Sequence, residues 1–494
     1  MEINDLTPAE RRVWEAFPRG ARVDFRPDPG ESAAAGASWG PERTVRAEVL
    51  TALLLNGPRI EGQVAGLNLK GVRITGPFNL KYAVVDHPVR LRACWFELRP
   101  VLYGAQLRAF VVNASTLPGL TAGVVRVDGA LKLSGCRLTG PVRLTGARIA
   151  GGLFLTRSVI GVPPGEGDPQ EAAEAPLQLN HAEIGTDVIA LGATVHGETR
   201  FNGSTVGGRI DLDDARLLNP GGVALHAETL AVGTDLRAGR MEARGLVNLT
   251  GARIPGQVYF GHASFANPDG VALRASSCVI GEMWLRRCER IRGTVNLRRS
   301  QFDLLHVLPE TWPDRIRMDG LTYRTLAPHL PAEQRLPALE REESGYLPYA
   351  YEQLAAAYRT AGDEAAARTV QLAKLRRHRR TLPRPARLWG LIQDVTVGYG
   401  FRPLRAAGWL AALLLTGAVA YGTHPPRALK PGEAPDFNPV FYTIDLMVPI
   451  VGFGQEAAYA PGGWYQWLSY LLVVTGWILA TTTAAGVSRS LQRQ

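Results

Sequence analysis

Cysteine is scarce in this 494-residue sequence, which contains four cysteines and no C-x-x-C pair. Cys94, Cys136, Cys278 and Cys288 lie far apart, so their spacing excludes a zinc ribbon and a redox dithiol. We expect all four thiols to be reduced and buried. The N-terminus also lacks the apolar core of a secretory signal. The large N-terminal part is therefore predicted to stay in the cytoplasm.

Motifs that carry catalysis are scarce as well. No G-x-G-x-x-G lies between a strand and a helix, and no Walker-type phosphate loop is present. The histidines form no H-E-x-x-H and no metal-ligand spacing with cysteines. We interpret the densest carboxylate group, Asp211, Asp213 and Asp214, as an outward acidic strip and not as a general acid and base. The sequence predicts no catalytic residue, no metal and no cofactor, which weighs against an enzyme without excluding one.

A repeat of 11 residues begins near residue 67, and its clearest series is Leu69, Leu80, Leu91 and Leu102. Each leucine is followed by a small residue and then by an apolar residue at period two. Two units, about 22 residues, match one coil of a solenoid whose glycine-containing turns form the corners. The predicted fold class is mainly β, a parallel β-solenoid whose small residues point inward.

The ends of such a stack need caps, because uncovered edge strands pair with other chains. Thr7 and Glu10 have capping-box spacing, and residues 43–55 have the pattern of a second amphipathic helix. Residues 346–380 predict two helices around a turn at 360–363. These segments are predicted to cap or connect the solenoid.

Three further features either interrupt the repeat or lie on its outer surface. Residues 161–175 are rich in proline and acids and predict a protruding loop. The similar segments 219–225 and 267–273 lie 48 residues apart and predict matching outer loops. The outward position before the last apolar residue of a unit is repeatedly arginine, which predicts a basic stripe made of Arg73, Arg137, Arg148, Arg216 and Arg253.

Two C-terminal segments, residues 406–422 and 464–487, are uncharged and apolar over about the length of a bilayer. Trp409 and Tyr421 are placed as interfacial anchors of the first. We expect both segments to be transmembrane helices. The apolar segment 438–459 between them is too short to cross a bilayer comfortably, so we predict a re-entrant segment that packs in a homo-oligomer.

Basic residues flank the predicted spans more densely than they occupy the intervening loop, so both termini are predicted to face the cytoplasm. The basic cluster would lie beside the anionic inner leaflet. The net charge of +10 also permits nucleic acid as a partner. However, few aromatics interleave with the outer charges, which disfavours it. The predicted lipid-facing residues are Lys374, Arg376, Arg377, Arg379, Arg380, Arg384 and Arg387.

Four domains follow from these boundaries. They are a helical cap at 1–60, a solenoid at 61–310, a helical connector with the basic cluster at 311–400, and a two-helix membrane domain at 401–494.

The order span, short helix, VGFG and span resembles a two-transmembrane potassium-type channel, whose filter carbonyls replace the hydration shell of an ion. Ile450 stands where that filter has threonine, and Gln455 replaces the acid that follows it. The resemblance implies an ion channel with a solenoid sensor. Its pore-like residues would be Ile450, Val451, Gly452, Phe453 and Gly454.

Most of the chain resembles actinobacterial proteins labelled "membrane-associated oxidoreductase". The resemblance lies in residues 1–20, the repeat core, residues 348–363 and the C-terminal spans. It implies a redox enzyme but assigns no catalytic residue to this sequence. The prediction from the residues is a membrane-anchored scaffold for an unknown protein partner, with the channel and the oxidoreductase as alternatives.

Overall fold

A computed structural model describes residues 5–28, 30–163, 165, 174–397, 403–430, 432–448 and 452–491. The chain divides into two compact units, Met1–Ala361 and Gly362–Gln494. The first unit is a parallel β-solenoid of about 11 turns with helices at its ends. The predicted solenoid is therefore confirmed.

The coils have four faces, numbered here in the order in which the chain visits them from Leu67. Faces 1 and 4 belong to a 20-stranded sheet, and faces 2 and 3 belong to a 16-stranded sheet. Strands on the same face of successive coils pair in parallel and in register, as Leu69 does with Leu91. Each coil therefore repeats the inward and outward pattern of the coil before it.

Most strands are short. Face 1 contains Val23–Asp24, Leu67–Lys70, Val89–Arg92, Phe110–Asn113, Leu131–Lys132, Leu153–Phe154, Val188–Ile189, Ile210–Asp211 and Leu236–Arg237. Face 2 contains Thr44–Arg46, Arg73–Thr75, Trp95–Phe96, Thr116–Leu117, Arg137–Leu138, Val159–Ile160 and Thr194–His196. Face 3 contains Leu120–Thr121, Val142–Arg143, Leu177–Gln178, Thr199–Arg200 and Arg315–Arg317. Face 4 contains Val84–Val85, Gln106–Leu107, Arg126–Val127, Arg148–Ile149, Glu183–Ile184, Thr205–Val206 and Ala231–Val232.

Later strands are longer and bend around a corner. Those that run from face 2 to face 3 are Arg216–His226, Glu242–Asn248, Ser264–Arg274 and Arg292–Asn296. Those that run from face 4 to face 1 are Arg253–Tyr259, Val279–Leu285, Gln301–Val307 and Thr322–Ala327. The coils thus continue past residue 310 into the segment predicted as a connector.

Small residues point into the core at the corners, as predicted. Cys94, Cys136 and Cys278 are buried, free thiols that donate to backbone carbonyl groups of the preceding coil. Burial raises the pKa of Cys94 and of Cys278 to about 11. Cys288 is buried and free as well. These thiols are therefore packing groups that hold their protons at neutral pH.

Each full coil turns twice through the left-handed backbone region, and only some of these corners are glycine. Between faces 3 and 4, Tyr82 has a φ of 57° and Gly104 has a φ of 66°. A Cβ atom on Gly104 would lie 2.5 Å from the ring of Tyr82, which covers it. The same corner in the following coils is occupied by Val124, Gly146, His181 and Gly203. A larger side chain therefore packs against the glycine of the next coil.

The N-terminal cap contains helices α1 (Pro8–Ala16) and α2 (Ala47–Asn56). Thr7 and Glu10 form the predicted capping box. The prediction of one helix over 43–55 is wrong at its start, because Thr44–Arg46 pairs with Arg73–Thr75 and extends face 2. Pairing with an open strand edge satisfies these backbone groups before the helix begins. Short 3₁₀ turns occur at Phe17–Arg19, Ala33–Ser38, Pro41–Arg43 and Pro309–Thr311.

Glu10 joins α1 to this first strand, because its carboxylate accepts hydrogen bonds from the Arg46 amide at 3.0 Å and the Arg46 guanidinium at 2.7 Å. Burial raises the pKa of Glu10, but the bonds from Arg46 and from the Thr7 amide outweigh it and bring the pKa to about 2. The ordinary value is 4.5. The folded-state pKa is depressed, so this contribution is present above pH 4.5 and is lost as the pH falls towards 2.

Glu10→Gln is expected to destabilise the N-terminal cap by roughly 2 kcal/mol at pH 7, allowing for the solvent that reaches Arg46. Hydrogen exchange at the α1 amides between pH 7 and pH 3 measures the effect. The difference from the unaltered chain should shrink as the pH falls. Glu15→Gln, on the exposed side of α1, should leave exchange unchanged; equal effects from the two variants would contradict the assignment.

At the other end, α3 (Ala332–Glu340) and α4 (Pro348–Thr360) follow the last coil. Buried Arg335 on α3 donates to the carbonyl oxygens of Val307 at 3.0 Å and Pro328 at 2.5 Å. The guanidinium thereby satisfies carbonyl groups at the end of the stack. The first of the two helices predicted in 346–380 is α4.

The second unit contains α5 (Glu364–Thr381), α6 (Arg384–Val397), α7 (Pro403–Thr423), α8 (Pro439–Met447), α9 (Gln455–Ala458) and α10 (Trp464–Leu491). A two-residue antiparallel pair joins Arg427–Ala428 to Tyr459–Ala460. Tyr421, Tyr442, Leu446, Met447 and Leu472 form its core.

The segments predicted as membrane spans lie in α7 and α10. Within the residues that the structure describes, no helix combines the length and the apolar sequence that crossing a membrane requires. Membrane crossing stays a prediction.

Candidate functional site

One small cavity lies at the C-terminal end of the solenoid. This cavity of about 30 Å³ lies beside Arg335 and is otherwise lined mainly by apolar side chains such as Leu305 and Trp312. That volume holds one or two water molecules. Among the described residues, no three His, Cys, Asp or Glu side chains are placed to hold a metal ion.

The carboxylates of Asp211, Asp213 and Asp214 bond to neighbouring backbone and to the next coil. Asp213 accepts from the Gly239 amide at 2.6 Å, and Asp214 pairs with Arg240 at 2.6 Å. The Arg240 guanidinium holds the pKa of Asp214 below its ordinary value. Asp211 accepts from the Asp213 amide at 3.1 Å. These contacts link Asp213 and Asp214 to the next coil, and the interpretation as an acidic strip stays a prediction.

The predicted arginine stripe is divided between two faces. Arg73, Arg137 and Arg216 lie on face 2, whereas Arg148 and Arg253 lie on face 4. The prediction of one stripe is wrong because an 11-residue unit is half a coil, so matching positions in consecutive units fall on opposite faces. Two of these arginines are also neutralised, Arg148 by Glu183 at 3.3 Å and Arg216 by Glu242 at 2.9 Å.

Face 3 carries a column of polar side chains, here called the polar ladder. Its members occupy the outward position of eight successive coils, about 4.8 Å apart along the stack. They are Arg143, Gln178, Arg200, His226, Asn248, Arg274, Asn296 and Arg317.

Sequence reasoning missed the polar ladder, although a signal for it was present. The similar segments 219–225 and 267–273 define a 48-residue period. The same period relates Arg200 to Asn248, and His226 to Arg274. Both segments lie within long strands and not in loops. They interrupt the strand register in matching ways, and the side chains of Asn219 and Asn267 each donate to the carbonyl group four residues on.

Most charges on the polar ladder have a partner within the coils. Arg143 pairs with Glu174 at 2.5 Å, and this contact lowers the pKa of Glu174 to about 2. Arg200 and His226 share Glu198, at 2.7 and 3.0 Å. A ladder of this kind presents fixed hydrogen-bonding groups at regular spacing, which is the property a recognition surface needs.

Three aromatic side chains occupy successive rungs of face 1, where the sequence reading expected few. Tyr259 pairs in register with Trp284, and Trp284 pairs with His306. The rings of Trp284 and His306 stack with centroids 4.6 Å apart. Burial lowers the pKa of His306 below its ordinary value. Trp284 and His306 therefore cover a face of each other, while the Nδ1 atom of His306 is buried without a hydrogen-bond partner among the described residues.

The predicted pore-like residues lie only partly in the described chain. Ile450 and Val451 fall outside it, whereas Gly452, Phe453 and Gly454 follow α8. The carboxylate of Asp445 accepts hydrogen bonds from the backbone amides just beyond α8. The bonds come from Phe453 at 2.6 Å, Gln455 at 2.8 Å and Glu456 at 3.3 Å.

Gln455, which stands in place of the acid expected in a potassium-type filter, has a structural role. Its side-chain amide donates to the Asp436 carbonyl at 2.9 Å and accepts from the Asn438 amide at 3.2 Å. Gln455 contacts the residues just before α8, and Asp445 contacts the amides after it. Together they attach residues 453–456 to both ends of α8.

The predicted lipid-facing basic residues lie on α5 and α6. Arg376 and Arg379 pair with buried Asp394, at 2.9 and 3.2 Å. Arg380, Arg384 and Arg387 are exposed. The intramolecular ion pairs therefore divide the cluster into a structural part and an exposed part.

One side of α10 exposes large apolar groups. Trp464, Trp467 and Trp477 are 80%, 68% and 52% exposed. The opposite side packs into the unit through Leu472 and Gly476. Tyr470, Leu471 and Val474 are exposed as well, and with the three tryptophans they recur every three or four residues along the helix.

Comparison with known proteins supplies no further assignment, because the chain matches no protein-family model, no curated protein and no solved structure.

Proposed function

We propose that this protein is a membrane-attached β-solenoid that serves as an interaction platform. The second unit binds the lipid, and the first unit presents its regular faces to partners. The observation that carries the proposal is the exposed aromatic and aliphatic side of α10. Tryptophan at this exposure in water is unfavourable by about 25 cal/mol for each Å² of apolar surface, and membrane interfaces are where such side chains are enriched.

The exposed basic residues support the same attachment. Arg380, Arg384 and Arg387 lie near α7 in sequence, where each contributes about 1 kcal/mol beside an anionic leaflet. The proposed location is the cytoplasmic membrane with both termini in the cytoplasm. A homo-oligomer formed through the second unit would cover part of its apolar surface.

The platform role is supported by the outer faces of the solenoid. Side chains on these faces stand in register over many coils. Long regular surfaces of this kind suit recognition of an extended partner. We expect the partner to be another protein.

Membrane attachment is tested by floating the purified full-length protein with vesicles through a density gradient. We expect flotation with both neutral and anionic vesicles, and more with the anionic ones. The double variant Trp467→Ser and Trp477→Ser should reduce flotation at least fivefold. Tyr82→Ser, which alters an aromatic residue 66% exposed on the solenoid, is the matched control. A protein that stays in the aqueous fraction with every vesicle would overturn the proposal.

Ion conduction is a second candidate, favoured by the way Asp445 holds the segment after α8. The backbone amides of Phe453, Gln455 and Glu456 donate to this one carboxylate and hold residues 453–456 in place, and an ion filter requires an ordered backbone. The redox activity implied by the family resemblance makes a different prediction, a flavin or haem absorbance in the purified protein. The platform proposal expects a colourless protein.

A further inference from the structure

One arginine of the polar ladder lacks the carboxylate that its counterparts have. Arg143, Arg200 and Arg317 each pair with a glutamate. Within the described part of the chain, the side chain of Arg274 makes no ion pair or hydrogen bond, and its Nε atom is buried without a partner. Arg274 is itself only half-exposed. A partly desolvated guanidinium is normally compensated by an anion.

A second guanidinium and a hydroxyl group accompany Arg274. Ser276 lies two residues on and points to the same side of the strand. Ser276 stands in register with Arg298 of the next coil, because the amide of Ser277 donates to the Arg298 carbonyl at 2.8 Å. The side chain of Arg298 bonds to the Ser344 hydroxyl at 2.9 Å and forms no ion pair among the described residues, and its Nε is also buried and unpaired.

Two of the neighbouring carboxylates already have partners. Glu228 accepts from the Asn248 amide group at 2.8 Å, and Glu343 pairs with Arg317. Asp319 follows Arg298 on the next coil without coming within ion-pair distance of it. Among the described residues, neither Arg274 nor Arg298 forms an ion pair, although the charge of Arg298 also acts on Glu343.

The Ser276 hydroxyl is available to a ligand as well. It lies 3.2 Å from the Thr250 hydroxyl, which donates to Asn248 at 2.7 Å. Because Thr250 uses its hydrogen on Asn248, Ser276 donates to Thr250 or, after rotation about its C–O bond, to a ligand. The guanidinium groups of Arg274 and Arg298 and the hydroxyl group of Ser276 offer hydrogen-bond donors from three side chains. This suits a tetrahedral oxyanion, which has more acceptor oxygens than a planar carboxylate.

We propose that the polar ladder holds an oxyanion site at Arg274, Ser276 and Arg298, which binds the phosphate group of a small phosphate monoester. The site lies wholly in the first unit. It is independent of how the second unit binds lipid, so either proposal can fail without the other.

Calorimetric titration of the full-length protein with inorganic phosphate, at constant ionic strength set by chloride, tests the site. We expect saturable binding that is at least tenfold weaker in Arg274→Gln and several-fold weaker in Arg298→Gln. Arg143→Gln, which removes a paired arginine of the same ladder, should change the affinity less than twofold. Equal weakening by all three variants would reduce the effect to net charge and overturn the proposal, as would the absence of binding.

Ser276→Ala keeps every charge and tests the geometry, and it should weaken phosphate binding about two- to fivefold. Acetate should bind at least tenfold more weakly than phosphate. Competition then identifies the source of the phosphate group. Displacement by soluble glycerol phosphate supports a small monoester, whereas displacement only by phosphatidic acid vesicles would overturn that assignment in favour of a lipid headgroup. Circular dichroism melting curves confirm that each variant is folded.

Discussion

Replacing Gly245 with alanine is expected to destabilise the solenoid by about 3–5 kcal/mol, from backbone strain and overpacking together. Gly245 has a φ of 118°, which residues with a side chain rarely adopt. An added Cβ would lie 2.4 Å from the Asn219 carbonyl oxygen and 2.8 Å from that of Gly222. These are backbone atoms of the preceding coil, so they cannot turn aside as a flexible side chain would.

Urea denaturation followed by circular dichroism measures this effect. The matched control is Gly221→Ala, which lies in the irregular part of the neighbouring strand in the preceding coil. Gly221 has a φ of 76° and nothing within 4 Å of an added Cβ. Only the conformational strain applies there, so we expect a loss of about 1 kcal/mol. Similar losses in the two variants would show that the contact between coils is looser than the distances indicate.

Asp445→Ala is expected to destabilise the second unit by about 3–5 kcal/mol, because each buried amide left without a partner costs about 1–3 kcal/mol. Asp445 is 6% exposed and accepts from three backbone amides. The local measurement is hydrogen exchange at the amides of Phe453, Gln455 and Glu456. Their protection should fall while that of the solenoid amides stays constant.

Asp436→Ala is the control for this variant, because Asp436 is an exposed carboxylate in the same unit. It should leave exchange within experimental error. The same variants separate the two candidate functions when the protein is reconstituted in liposomes. If the segment after α8 conducts, cation flux should disappear in Asp445→Ala and in Gly452→Asp but persist in Asp436→Ala. A platform gives no flux in any of them.

Local patterns in the sequence were sufficient to predict the coils and part of the caps. The 11-residue spacing from Leu69 to Leu102 reflects inward side chains in successive half-coils, and the capping box at Thr7 and Glu10 involves neighbours along the chain. Both signals depend on residues close in sequence. The start of α2 was predicted wrongly because pairing of Thr44–Arg46 with a strand almost 30 residues away overrides its helical pattern.

The 48-residue period in the sequence did not show which residues stand next to each other in the candidate site. Arg274 and Asn296 are 22 residues apart and stand on adjacent rungs, whereas Arg200 and His226 are 26 apart and do the same. Because loops between faces 2 and 3 vary in length, no single period brings the polar ladder into alignment. Whether an arginine of the polar ladder has a glutamate partner depends on this register. It also depends on where the segment that carries the glutamate places its carboxylate.

The sequence by itself determined that this chain forms a parallel solenoid with inward small residues, since alternation and periodicity are properties of each coil. Only the tertiary structure decided which outward residues share a face. An 11-residue unit is half a coil, so the predicted arginine stripe fell on two faces, and the unpredicted polar ladder arose on a third. Inward burial is imposed on every coil alike, whereas the neighbours of an outward side chain depend on the cumulative lengths of all the corners between them.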